Sequence, residues 1–187
     1  MRDQARLWTW PFILVLIINA FNGVASYMIN PILPDYLAEK GVLFSVIGII
    51  SSLISWIALV FRPLSGLMSD RLNRKKVVFF SYLASALCMA AYAVSDQVSA
   101  IVIVRILHGI AFGLSGTISM AFATSFLPSR RIAEGMNYIG IASLIGTMFG
   151  PQLGTLFSER AGMSFTFLVA GALYLFCLFL IALVPGK

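Results

Sequence analysis

Two sets of polar residues recur at helical spacing inside stretches that are otherwise apolar: Asn19, Asn22, Ser26 and Asn30, and Arg105, His108, Ser115 and Ser119. The first set is spaced by three, four and four. The second is spaced by three, seven and four, with Phe112 and Gly116 between its members. Each set therefore falls on one face of a helix. Burying an ionised side chain near mid-bilayer costs about 2.5–3.5 kcal/mol on insertion scales, so such a stripe faces a bundle interior or a watery cavity. For the asparagines and serines the plainer role is to hold helices together through hydrogen bonds. Arg105 is favoured as a functional residue. His108 has two readings, a proton carrier near neutral pH or a neutral packing residue.

No Asp or Glu lies deep in an apolar stretch. A proton-carrying carboxylate is therefore Asp35, at the outer end of the first span, or lies outside this sequence; His108 beside Arg105 is the alternative. Gly113-Leu114-Ser115-Gly116 is a GxSG string like that of intramembrane serine proteases, but the chemistry needs a base within hydrogen-bond reach of the serine. The single histidine, His108, stands seven residues away on the same helix, roughly 10 Å at about 1.5 Å per residue. That distance argues against an enzyme. Cys88 and Cys177 sit in the middle of apolar runs and read as packing residues, so no metal, disulfide or other cofactor is expected.

The elements that carry these residues follow from composition. The 187 residues are 60% hydrophobic and 11% charged, against roughly 45–50% and about 25% for an ordinary soluble domain. Charge-free stretches run over Leu7–Pro34, Gly41–Phe61, Val77–Ser95, Ile106–Ser129, Gly135–Ser158 and Ala161–Gly186, and about 20 apolar residues cross a bilayer as a helix. The expectation is an all-α membrane protein forming one domain over 1–187, with spans at about 10–33, 43–67, 77–95, 98–127, 135–157 and 163–184. With both termini cytoplasmic, the inner segments hold Arg2, Arg6, Arg71, Arg74, Lys75, Lys76, Arg130, Arg131 and Lys187, and the outer ones only Lys40 and Arg160. Nine cations against two fix the orientation. The net charge of +6 thus belongs to span ends that meet anionic lipid, and no nucleic-acid partner is expected. The first apolar run is too long for a signal-peptide core and reads as a retained span.

The halves echo one another. Phe61, Pro63, Gly66 and Ser69-Asp70-Arg71 reappear as Phe149, Pro151, Gly154 and Ser158-Glu159-Arg160 after 88–89 positions, and Asn22-Gly23-Val24-Ala25 as His108-Gly109-Ile110-Ala111 after 86. The copies lie three spans apart and so face opposite sides. This predicts an inverted repeat of three spans plus three, about 1–95 and 96–187, as in secondary transporters. On the fifth span Gly146, Gly150, Pro151 and Gly154 make a close-contact face and a bend, with gating as the functional reading. The joint GLMSDRLNRKK (66–76) sets Asp70 among Arg71, Arg74, Lys75 and Lys76, so that ion pairs there can form in one conformational state and break in another.

These residues resemble the major facilitator superfamily, specifically its amino-terminal six-helix half. Gly66-xxx-Asp70-Arg71-xx-Arg74-Lys75 is similar to the family's signature between spans two and three, with Asn73 where glycine is usual. Arg105-xx-His108-Gly109-xxx-Gly113 resembles its fourth-span signature, with His108 where glutamine is common. Gly146-xxx-Gly150-Pro151-xx-Gly154 resembles its fifth-span antiporter signature, with Thr155 in place of a frequent glycine. Pro31-xx-Pro34 is a weaker match.

The resemblance implies a carrier in the manner of the bacterial inner-membrane drug–proton antiporters. Its cavity is lined partly by spans one and four, Asp70 and its neighbours act as a conformational switch, and Arg105 lies near the proton or substrate site. The expected function is proton-coupled export of small amphipathic or cationic molecules, with an uptake symporter or a non-transporting assembly module as alternatives. The family has two six-span halves, so the expected partners are the lipid bilayer, a small-molecule substrate, protons and a second half. That half is another copy in a homodimer if the sequence is complete, or else a missing carboxy-terminal half.

Overall fold

The computed structural model describes residues 6–185, without the side chains of Ser69 and Asp70. Arg2, Lys187 and the Asp70 carboxylate, all named above among the basic joints, lie outside the described residues. The described chain forms six helices, α1 (Trp10–Glu39), α2 (Phe44–Arg71), α3 (Arg74–Val94), α4 (Val98–Thr124), α5 (Ile132–Ala161) and α6 (Met163–Leu183), with one 3-10 turn at Ser129–Arg131. All six are long and apolar enough to cross a membrane.

Several helices outrun the charge-free stretches. α1 continues through Pro31 and Pro34 to Glu39, and α5 spans 30 residues where 135–157 was expected. Thirty residues make roughly 45 Å of helix, the bilayer core plus its headgroup layers. A charge-free run measures only the oily part of such a helix, because charged side chains at its ends reach the headgroups.

The same effect reshapes the basic joint. Gly66 to Arg71 belongs to α2 and Arg74 to Lys76 to α3, which leaves only Leu72 and Asn73 outside helix. Asn73 caps α3: its Oδ1 accepts from the Lys76 amide at 3.2 Å. Its φ of −65° is ordinary, so this turn has no need of glycine. At the opposite joint Gly162 alone separates α5 from α6 with φ 88° and ψ 164°, a conformation open to glycine and strained for other residues.

α1 packs on α5 and α6, α4 packs on α2 and α3, and α3 meets α6. Exchanging the first three helices for the last three maps this set of pairings onto itself. Close crossings occur in both exchanged pairs, α1 on α5 and α4 on α2. A Cβ on Gly23 would lie 2.9 Å from Cα of Gly146, and one on Gly113 would lie 2.8 Å from Cα of Ala58, which precedes Gly146 by 88 positions. Small residues let these backbones touch. The α3–α6 seam is aromatic instead, with Tyr82 edge-on to Tyr174 at 6.0 Å and Tyr92 stacked on Phe167 at 5.3 Å. α2 and α5 are the least buried of the six.

Candidate functional site

Close approach of α4 to α2 builds the polar centre of the molecule. A Cβ on Gly109 would meet Ile57 and one on Gly113 would meet Ala58, so only glycine lets the helices draw together here. Arg105 then reaches across, and its Nη2 donates to the Ser51 carbonyl of α2 at 2.8 Å. One turn further along α4, the His108 ring lies edge-on to Tyr92 of α3, centroids 6.1 Å apart. Arg105 is 2% exposed and His108 and Tyr92 are fully buried.

This cluster leaves much of its bonding capacity unused. Among the described residues, the buried side-chain polar atoms without a hydrogen-bond partner are Ser51 Oγ, Tyr92 Oη, Arg105 Nε and Nη1, and both ring nitrogens of His108. All come from one site on three helices. The Tyr92 hydroxyl and the His108 ring are both within electrostatic reach of the guanidinium, although neither bonds it with good geometry. Leaving a buried donor or acceptor unpaired costs about 1–3 kcal/mol, and more for a charged group.

The other predicted cavity residues divide. Ser115 donates back to the Phe112 carbonyl at 3.0 Å, and Ser119 shares a 3.1 Å bond with the Tyr82 hydroxyl. Asn19 donates to Val15 O at 2.8 Å. Ser26 donates to Asn22 O at 2.8 Å and shares a 2.7 Å bond with the Tyr174 hydroxyl. These four side chains are buried and used inside the bundle, whereas Asn22 is half-buried and Asn30 is exposed. The stripes of α1 and α4 thus point into different packing layers, α1 towards α5 and α6 and α4 towards α2 and α3. Asp35 is exposed on the last turns of α1, and no hydrogen bond joins it to Arg105 or His108. Ser115 and His108 share no bond either.

At the α2–α3 joint the cations have distinct partners. Arg74 Nη1 donates to Ala121 O of α4 at 3.3 Å, and Lys75 Nζ to Ala182 O and Val184 O at the end of α6, at 3.1 and 2.5 Å. Both complete carbonyls at helix ends, where a cation also meets the negative end of the helix dipole. Arg71 is exposed, and half-buried Gly66 has open space where a Cβ would stand. On α5, Gly146 meets Gly23, Gly150 meets Val24 and Tyr27, and Gly154 meets Met28, with Pro151 between. This face seats α1.

Sequence reasoning passed over Ser51, Tyr92 and Tyr174, which look like ordinary span residues until their neighbours are known. It also passed over Arg62, exposed on α2 nine residues from the helix end, roughly 14 Å along it. A cation between Phe61 and Pro63, inside the 43–67 span, was the available signal.

The architecture and signatures now have an external measure. The sequence profile described as Major Facilitator Superfamily matches residues 15–186. The chain belongs to this superfamily. Among its relatives, the class H tetracycline resistance protein of Pasteurella multocida is 28% identical over 159 residues, 83% of this chain and 40% of that protein. The multi-drug resistance efflux pump PmrA of Streptococcus pneumoniae is 24% identical across 82% of this chain and 39% of the pump. Major facilitator superfamily domain-containing protein 10 of Mus musculus is 32% identical across 75% of this chain and 31% of its own length. The crystal structure of the POT family transporter PepTSo superposes with a TM-score of 0.81 at 15% identity, over 94% of this chain and 37% of that one, a likeness of fold. The chain thus spans about a third to two fifths of these proteins. It is an integral membrane protein whose described residues form six helices with the superfamily's architecture.

Proposed function

We propose that this chain forms the amino-terminal half of a secondary carrier that exports small amphipathic or cationic molecules by alternating access, in exchange for protons. Its two three-helix units are inverted repeats, and a second six-helix half, its own copy or a carboxy-terminal continuation, covers the open faces of α2 and α5. Both termini are cytoplasmic, in a bacterial inner membrane. Asn22 and Asn30 line the cavity from α1, and the α4 cluster lies behind it. Asp35, Arg105 and His108 handle protons. Gly66, Asp70, Arg71, Arg74 and Lys75 form the switch at the joint, and Gly146, Gly150, Pro151 and Gly154 are the face on which α5 moves against α1. Relatives named for tetracycline resistance and multi-drug efflux support export.

The observation that carries the reading is the unpaired polar cluster of Ser51, Tyr92, Arg105 and His108. A purely structural bundle gains nothing from a guanidinium buried with one backbone acceptor, since an apolar side chain there is as stable or more so. A carrier needs such groups, because a proton or substrate group contacts them in one state and leaves them in another. The test is pH-driven transport of a panel of amphipathic cations in vesicles holding the natural gene product. Arg105→Leu and Asn22→Leu are expected to reduce transport at least about tenfold, or about 1.4 kcal/mol, with the fold intact. Unchanged transport in both would reject the carrier site.

A further inference from the structure

Between α3 and α4 runs a groove of about 870 Å³ with Phe80, Ala84 and Leu87 on one wall and Leu107, Ile110 and Leu114 on the other. It extends along α3 from Val77 to Ala91, roughly 21 Å of helix, comparable with one leaflet of a bilayer. At the α2–α3 joint its mouth is polar, formed by Arg71, Asn73 and Lys76. A second recess of about 410 Å³ lies beside it, bounded by Phe79, Phe80 and Lys75, and shares Asn73 and Lys76 with the first. Phe80 stands 63% exposed between the two.

The joint's cations divide their work. Arg74 and Lys75 bond the carbonyls of α4 and α6. Arg71 and Lys76 are exposed at the groove mouth and form no ion pair among the described residues. The Asn73 Oδ1 accepts from the Lys76 amide, and the residue is exposed at the mouth.

We propose that this twin groove binds one anionic glycerophospholipid from the leaflet that the joint faces. Its phosphate lies between Arg71, Lys76 and the Asn73 amide, and its two acyl chains straddle Phe80, one along α3–α4 and the other beside Phe79. The charge selects the occupant. Two exposed cations at headgroup depth, without an ion pair among the described residues, attract a net negative headgroup, while the ammonium of a zwitterionic one opposes them. The apolar walls exclude a free inorganic anion as sole ligand, and they leave the backbone of a bound peptide unsatisfied.

Native mass spectrometry of the protein released from nanodiscs of mixed phosphatidylglycerol and phosphatidylethanolamine tests this. The wild type should retain one phosphatidylglycerol. The double variant Arg71→Gln, Lys76→Gln should lower that retention about thirtyfold, the weight of two cations at an anionic surface. Ala84→Trp, which fills the long groove with both cations kept, should also displace the lipid. Arg130→Gln, an exposed cation of another joint, should leave it bound. Circular dichroism and a single elution peak establish that each variant is folded. Equal retention of phosphatidylethanolamine, equal loss in Arg130→Gln, or undiminished binding in Ala84→Trp would each overturn the proposal.

Discussion

At the residue scale, the unpaired groups around Arg105 separate function from packing. Arg105 is buried with one backbone acceptor, so Arg105→Leu removes an uncompensated charge and should leave stability unchanged or raised by about 1–4 kcal/mol in denaturant titrations. The same variant is expected to lose transport, and that opposition marks a site kept for work. His108→Gln preserves approximate size and removes the titratable group; the pH dependence of transport in energised vesicles should flatten, and a full pH response would remove His108 from proton handling. Asn73 makes a smaller, sharper case. Asn73→Ala deletes the α3 cap and should cost about 1 kcal/mol, while Asn73→Gly, the residue usual in the family, should cost a few tenths. The sequence made Arg105 and His108 legible because polar groups in an apolar run have no cheap explanation. It could not show Ser51 and Tyr92, since a serine and a tyrosine are ordinary there until their neighbours are known.

At the element scale, the crossings of α1 on α5 and of α4 on α2 rest on backbone contact. Gly146→Leu and Gly113→Leu each push a side chain into a facing backbone and should destabilise by about 1–3 kcal/mol or more, read as a lower melting temperature in mild micelles. Gly116 and Gly140 lie on the same helices with open space where a Cβ would stand, so Gly116→Ala and Gly140→Ala should be neutral or stabilising by up to about 1 kcal/mol. Six spans were legible as charge-free runs, and the small-residue face of α5 as a four-residue rhythm. Helix ends were not, because a helix continues through charged residues once they reach headgroups. Nor was the pairing of faces legible: periodicity places Asn19, Ser26, Ser115 and Ser119 on stripes, but the register of Gly23 on Gly146 and of Gly113 on Ala58 decides which layer each stripe enters.

At the scale of the whole molecule, the helix pairings are unchanged when the first three helices are exchanged for the last three, and α2 and α5 remain the least covered helices. Arg62, Ser52 and Ser55 on α2 and Gln152 and Thr155 on α5 are exposed there. Polar groups at that depth are costly against lipid, which favours a second helical half as their neighbour. Cross-linking in membranes through Ser55→Cys should therefore capture another six-helix unit, and capture of none would deny that arrangement. The central claim is that α1 borders a chamber which opens to water by turns. A single cysteine at Asn22, in a protein whose Cys88 and Cys177 are replaced by alanine, tests this with a membrane-impermeant maleimide applied to either side. The account predicts labelling whose sidedness or rate changes when a proton gradient is imposed. A thiol that stays unlabelled from both sides, with and without the gradient, would contradict it.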